Sequence, residues 1–107
     1  MNELHAMLSM CRKAGKLTWG FASVKNTVLS CQAQVVILCR DLSSKTIKEM
    51  QFVCGRQGIK CIPTSITMDE MDYMIGKKTG IIAICQESLA NRVEQLVAAR
   101  EGGNERI

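Results

Sequence analysis

Residues 34–39 read Gln-Val-Val-Ile-Leu-Cys, and this run decides the class of fold. Its apolar residues are consecutive and rich in β-branched side chains, without the alternation of a strand that faces water on one side. Such a run predicts a strand covered on both faces. Residues 80–85, Gly-Ile-Ile-Ala-Ile-Cys, repeat the pattern. Two strands of this kind predict a sheet with helices on both faces, and therefore an α/β fold.

Helical spacing of apolar residues predicts five helices around these strands. The first ends at Gly15, and the second begins near Gly20. Ser43 or Ser44 is the predicted N-cap of the third helix, and Thr67, with Glu70 three residues later, forms a predicted capping box for a short fourth helix. The last helix follows residue 85. Short strands are predicted at 16–19 and 59–63, so helices and strands alternate along the whole chain.

The 107 residues fit one domain, which we assign to residues 1–100, followed by a flexible tail at 101–107. Apolar residues make up 47% and charged residues 22%, which is typical of a globular protein and unlike a disordered one. No apolar run approaches the ~20 residues that span a bilayer. The N-terminus lacks a signal-peptide pattern, so we expect no membrane partner and a cytoplasmic location.

The net charge of +4 is unevenly distributed along the chain. Residues 1–60 contain nine Lys or Arg against three Asp or Glu, or +6, whereas residues 61–107 contain five against seven, or −2. A basic half in a small domain indicates nucleic-acid binding. The alternative is a solvated surface whose asymmetry arose by chance.

Six cysteines and one histidine raise the question of a disulfide or metal site. No two cysteines form a C-x-x-C pair, and His5 has no ligand-like spacing to any of them. All six cysteines fall among apolar residues, so we interpret them as buried thiols and expect no metal.

No motif in the chain indicates catalysis or a cofactor. Residues 76–79, Gly-Lys-Lys-Thr, resemble the end of a phosphate-binding P-loop, but Met71 occupies the position of its first glycine, and a strand follows instead of a helix. His5 has no Ser, Cys or carboxylate in a catalytic spacing. We therefore expect a protein that is not an enzyme and has no cofactor.

Residues 12–26 read Arg-Lys-Ala-Gly-Lys-Leu-Thr-Trp-Gly-Phe-Ala-Ser-Val-Lys-Asn and contain the most informative functional pattern. Arg12, Lys13 and Lys16 precede the helix that begins near Gly20. A helix N-terminus presents free backbone N–H groups, and with cations nearby it suits a phosphate backbone.

Two further loops are candidate contacts. Arg40 and Asp41 follow the central strand, and ligands of open α/β sheets bind at the carboxyl ends of strands. A simple strand-to-helix connection is the alternative interpretation. Gly76, Lys77 and Lys78 form a basic turn after Ile75, which is either an RNA contact or a solvated loop.

Together, the segments at 12–20, 34–46, 58–63 and 75–77 resemble the kink-turn RNA-binding ribosomal-protein superfamily, and in particular its bacterial YlxQ/YbxF-like branch. The resemblance covers about residues 3–98. It implies a three-layer α/β/α sandwich around a four-stranded mixed sheet. It also implies binding of a sharply bent RNA by the N-terminus of the second helix, the loop after the central strand and the loop before the last strand.

Carried onto this chain, the resemblance and the charge pattern give one set of candidate RNA-binding residues: Lys16, Gly20, Phe21, Ala22, Ser23, Lys25, Asn26, Arg40, Asp41, Ile75, Gly76, Lys77 and Lys78. Ile75 is expected to pack against a splayed base. Ala22 and Ser23 stand where the family has an Asn-Glu pair that reads sheared G·A pairs, and Asn26 replaces a basic residue. This change retains phosphate attraction and weakens base-edge recognition.

The predicted function is therefore RNA binding without catalysis, with a structured, kink-turn-like RNA as partner and association with the ribosome as a ribonucleoprotein. The alternative is a protein–protein interaction or regulatory module that has the same fold and has lost base recognition.

Overall fold

The structure, a computed structural model, describes residues 2–103. Five helices and four strands alternate in it. They are α1 (Glu3–Lys13), β1 (Leu17–Trp19), α2 (Phe21–Leu29), β2 (Val35–Leu38), α3 (Ser44–Gln57), β3 (Lys60–Pro63), α4 (Met68–Ile75), β4 (Ile81–Ile84) and α5 (Glu87–Gly103). The predicted order of elements is confirmed.

The four strands form one mixed sheet in the order β1-β4-β2-β3. Strand β4 runs antiparallel to both β1 and β2, whereas β2 and β3 are parallel. The two central strands are buried along their whole length, which is why their sequences lack polar alternation.

Helices cover both faces of the sheet, so the predicted three-layer sandwich is confirmed. Helices α1, α4 and α5 pack on one face, and α2 and α3 pack on the other. The side chains of the central strands alternate between the two resulting cores. The first core receives Val35, Ile37, Ile82 and Ile84. The second receives Val36, Leu38, Ile81 and Ala83.

The predicted caps occur at the predicted places. The Ser43 side chain accepts a hydrogen bond from the Thr46 N–H at 3.2 Å and begins α3. The Thr67 hydroxyl accepts one from the Glu70 N–H at 3.1 Å and begins α4. Each cap satisfies a backbone donor that the first helical turn leaves free.

The C-terminal helix and the cysteines differ from the sequence-based expectation. Helix α5 continues to Gly103, and the Glu101 carboxylate accepts hydrogen bonds from the Ser65 N–H and hydroxyl, so the predicted flexible tail does not begin at 101. Residues 104–107 of that tail lie outside the described residues. Cys31 is exposed and has a positive φ of 63°, and Cys61 and Cys85 are half-buried, so only three of the six thiols are fully buried as predicted.

Over residues 2–103, none of the helices combines the length and apolar character needed to cross a membrane.

An ion pair connects α5 to α4. The Arg100 guanidinium donates two hydrogen bonds to the Glu70 carboxylate, at 2.6 and 2.8 Å. Mainly for this reason, the pKa of Glu70 lies below its ordinary value of 4.5. A carboxylate with a lowered pKa stabilises the folded state above its unfolded pKa, and this contribution is lost as the pH falls through the folded value.

Glu70→Gln is therefore expected to lower the free energy of unfolding at neutral pH by about 1 kcal/mol, because the pair is partly exposed to solvent. The difference from the wild type should narrow once the pH falls below 4.5. Urea denaturation at neutral and acidic pH measures both effects. Glu94→Gln is the matched control, since its partner Lys60 has a side chain that is 72% exposed, and the expected change is below about 0.5 kcal/mol. An equal loss in both variants would contradict the assignment.

Candidate nucleic-acid interface

Three loops lie together at the end of the sheet where β1, β2 and β3 finish and β4 begins. We call this end of the sheet the upper rim. It contains the carboxyl ends of β1, β2 and β3 and the amino end of β4, because β4 runs opposite to the others. The Gly20 N–H donates to the Ile81 carbonyl at 3.0 Å, and the Cys39 N–H donates to the Gly80 carbonyl at 2.8 Å. Gly80, just before β4, and Ile81, its first residue, thus hold the ends of β2 and β1 beside each other.

The N-terminus of α2 lies at the upper rim with free backbone donors. Gly20 is its N-cap, with φ 89° and ψ 151°, and supplies no side chain to cap the helix. Within residues 2–103, the N–H groups of Phe21, Ala22 and Ser23 have no hydrogen-bond acceptor. Side chains of Ala22 and Ser23 are exposed, so these three donors face an open approach. The arrangement is suited to an anionic oxygen.

The loop after β2 is anchored by its own residues. The Arg40 N–H donates to the Ile66 carbonyl at 2.8 Å, and its side chain is exposed. The Asp41 carboxylate accepts from the Met68 N–H at 3.0 and 3.2 Å, so it caps the start of α4. Arg40 is therefore presented to solvent at the rim, while Asp41 has a structural role.

The loop before β4 corrects one prediction. Ile75 is only 3% exposed and packs in the first core, so its side chain is not placed to stack on a splayed base. The reason is helical periodicity: Met71, Met74 and Ile75 lie on the same buried face of α4. Gly76 then ends the helix with φ 75°, and Lys77 is exposed at the rim.

Lys78 is also exposed, and its ammonium lies 3.0 Å from the Asp69 carboxylate. Hydrogen bonding to Asp69 raises the pKa of Lys78. An exposed pair of this kind contributes little to stability, so Lys78 can exchange Asp69 for a phosphate at small cost.

Lys16 is not brought to the upper rim. Its carbonyl accepts a hydrogen bond from the Cys85 N–H at 2.7 Å, which places it at the opposite end of β1 from Gly20. Four residues of extended chain span roughly 13 Å at about 3.3 Å per residue. The expectation that all three upstream cations converge on Gly20 therefore fails for Lys16.

Arg12 and Trp19 belong to the rim. Sequence reasoning counted Arg12 among the cations before Gly20, but it placed neither residue in the set of candidate RNA-binding residues. An Arg12 guanidinium nitrogen donates to the Ile75 carbonyl at 2.5 Å, and the guanidinium carbon lies 5.2 Å from the centroid of the Trp19 ring. The Lys77 ammonium lies 5.5 Å from the same centroid. The available signal was a tryptophan directly before Gly20 in a basic segment.

Two of the remaining predicted residues of α2 border a groove. Lys25 and Asn26 are exposed on its first two turns, and Phe21 is half-buried. Phe21 and Lys25 line an open groove of about 420 Å³ between α2 and α3, together with Leu29, Glu49, Phe52, Val53, Arg56 and Gln57. Phe52 is 64% exposed and Leu29 50% exposed. The groove is therefore an apolar surface with a partly basic border, next to the rim.

Cys39 lies beside the rim loops, and its thiol is protonated at neutral pH. Burial, with smaller contributions from the carboxylates of Asp41 and Glu70, raises the pKa of Cys39 to about 12. Cys39 is 1% exposed, and its thiol donates to the Thr79 carbonyl at 3.6 Å. A nucleophilic thiol needs a lowered pKa and access to solvent, and Cys39 has neither.

Comparisons with known proteins identify the fold. No protein-family model and no curated protein matches the sequence. A protein of unknown function from Bacillus halodurans has a similar structure, with a TM-score of 0.85 and 21% identity over 91% of this chain and 98% of that one. The 15.5kD RNA binding protein of Giardia lamblia is also similar, with a TM-score of 0.70 and 17% identity over 92% of this chain and 88% of that one. The chain therefore shares its fold with an RNA-binding protein.

Gly80→Ala tests the packing that holds the rim together. A Cβ at residue 80 would lie 2.3 Å from Leu42 Cδ2 and 2.7 Å from Leu42 Cγ, so the loop after β2 must shift. We expect a loss of about 1–3 kcal/mol in the free energy of unfolding. Gly55→Ala is the matched control: a Cβ there meets nothing within 4 Å, and alanine in α3 should stabilise by up to about 1 kcal/mol. Thermal and urea unfolding measure both, and a neutral Gly80→Ala would contradict the packing argument.

Proposed function

We propose that this protein is a non-enzymatic RNA-binding protein whose upper rim holds the phosphate backbone of a structured, kink-turn-like RNA. The observation that carries the proposal is the uncapped N-terminus of α2. Three backbone donors without acceptors in the described chain stand at the same edge of the sheet as exposed Arg40 and Lys77. A helix N-terminus and nearby cations attract the same ligand, a phosphate group.

The shape of the rim favours bent RNA over a straight duplex. Its donors come from three separate loops, which β4 holds at fixed positions. Ala22 and Ser23 offer only a hydroxyl and backbone groups, so phosphate positioning, more than base-edge recognition, accounts for binding. Double-stranded RNA is recognised largely by shape and backbone, and an internal loop supplies the bend.

The likeness to the Giardia RNA-binding protein supports RNA as the ligand at the level of the fold. The sequence resemblance to the kink-turn-binding superfamily supports the finer proposal of a kink-turn, and the bacterial YlxQ/YbxF-like branch is the proposed placement within it. We further propose that the RNA is ribosomal and that the protein acts in the cytoplasm.

Titration of a labelled kink-turn RNA, measured by fluorescence anisotropy at several salt concentrations, tests the proposal. Affinity should fall as salt rises, with a slope reduced by about 1 for each phosphate contact removed. Arg40→Ala and Lys25→Ala should each weaken binding and reduce the slope. Lys16→Ala is the matched control, because it removes the same charge as Lys25→Ala from the opposite end of β1, and it should bind like the wild type.

A second RNA tests shape. Replacing the G·A pairs of the kink-turn by Watson–Crick pairs gives a straight duplex, which should bind at least several-fold more weakly. If neither RNA binds, the proposed interface is wrong. It is also wrong if Lys16→Ala and Arg40→Ala lose the same amount of affinity for the kink-turn RNA.

The second candidate function, a protein-interaction module, is favoured by the α2/α3 groove, where Phe52 and Leu29 are exposed. Co-precipitation of the full chain from its own cells distinguishes the candidates. A partner that resists nuclease and is lost with Phe52→Ser favours interaction with a protein. Material that is nuclease-sensitive and is lost with Arg40→Ala favours RNA binding.

A further inference from the structure

Trp19 is the only tryptophan of the chain, and it stands directly before the N-cap of α2. Its side chain is half-buried and packs partly against the first core. Within residues 2–103, the indole N–H forms no hydrogen bond. A large aromatic ring is thus held by packing on one side and retains an accessible part at the upper rim.

Two cations lie at the ring, and they are held differently. Arg12 is fixed by its 2.5 Å hydrogen bond to the Ile75 carbonyl, 5.2 Å from the ring centroid. Lys77, at 5.5 Å, has no acidic partner within 4.0 Å among the described residues. At exposed sites a cation–π contact contributes only about 0.5–1 kcal/mol. The Lys77 ammonium is therefore the group that can leave the ring when a ligand arrives.

An open depression connects the indole to the free donors of α2. It has a volume of about 240 Å³ and is lined by Leu17, Thr18, Trp19 and Ser23. Ser23 contributes one of the three N–H groups that have no acceptor in the described chain. A phosphate at this N–H therefore places its own base, or that of the adjoining nucleotide, within reach of the indole.

From these contacts we propose that Trp19 is a stacking platform for one unpaired nucleobase next to the phosphate held at the N-terminus of α2. The base occupies the place at the ring that Lys77 leaves when its ammonium transfers to a neighbouring phosphate, while Arg12 keeps its hydrogen bond to the Ile75 carbonyl. This inference rests on the proposed function and adds a requirement to it: the RNA must offer an unstacked base beside the bound backbone. Stacking tolerates any base, so it selects loops over duplexes with little need for base-edge contacts, for which Ala22 and Ser23 offer only one hydroxyl.

The single tryptophan makes the test direct, because all indole emission comes from residue 19. A hairpin RNA with an internal loop of unpaired nucleotides is titrated into the wild-type full chain, and binding is followed independently by anisotropy of the labelled RNA. We expect the emission of Trp19 to be quenched in proportion to the bound fraction, and its accessibility to acrylamide to fall. A fully paired RNA of the same length should leave the emission nearly unchanged.

Variants distinguish stacking on the Trp19 indole from electrostatic attraction to the phosphates. Trp19→Leu should weaken binding of the looped RNA about tenfold, whereas Trp19→Phe, which keeps an aromatic face, should lose only a few-fold. Arg40→Ala should weaken binding yet give the full quenching once saturated. Circular dichroism checks that each variant is folded, and the wild-type quenching does not depend on any variant.

Binding by anisotropy with unchanged Trp19 emission and accessibility would overturn the stacking inference and leave the proposed function in place. Wild-type affinity in a folded Trp19→Leu protein would do the same. If anisotropy shows that neither the looped RNA nor the fully paired RNA binds, both the proposed function and this inference are wrong.

Discussion

The carbonyl groups of Gly80 and Ile81 are the fixed points on which the upper rim depends. The Gly80 carbonyl accepts a hydrogen bond from Cys39, directly after β2, and the Ile81 carbonyl accepts one from Gly20, directly after β1. Because β4 lies between these two strands and runs opposite to both, their last residues pair with its first two. The position of the α2 N-terminus relative to the Arg40 loop is therefore set by backbone geometry and not by the side chains that would touch a ligand.

Gly80 also shows why this edge is tightly packed. The Leu42 side chain occupies the space where any other residue would carry a Cβ, and Met68 Cε lies 3.3 Å from the same point. The loop after β2 and the start of α4 thus close over the beginning of β4. Asp41 adds a hydrogen-bonded link between the same two segments. The residues that face outward can vary while this inner arrangement keeps the three loops together.

Most of the fold was predictable from the sequence because local signals agreed with one another. The doubly buried strands lack polar alternation, and Ser43 and Thr67 have the side chains that cap helices. The candidate site was less predictable, because it depends on three-dimensional relations. Ile75 lies next to the loop before β4, but the helical period of α4 places its side chain in the core. Lys16 is close to Gly20 in sequence, but an extended strand carries it to the other end of the sheet. The approach of Lys77 to Trp19 joins residues that are far apart in the chain, and no local pattern reports it.

The two helical layers of the sandwich differ in formal charge. In one layer α1 carries +1, α4 carries −3 and α5 carries −1, whereas in the other α2 carries +1 and α3 carries +2. The layers therefore total −3 and +3, and the helices alone form an electric dipole directed across the sheet. In the field of a polyanion such a particle rotates before it touches, so that the α2/α3 layer leads. The charge difference between the layers thus orients the protein while it diffuses toward a polyanion. This is a kinetic effect, and it weakens as ionic strength rises.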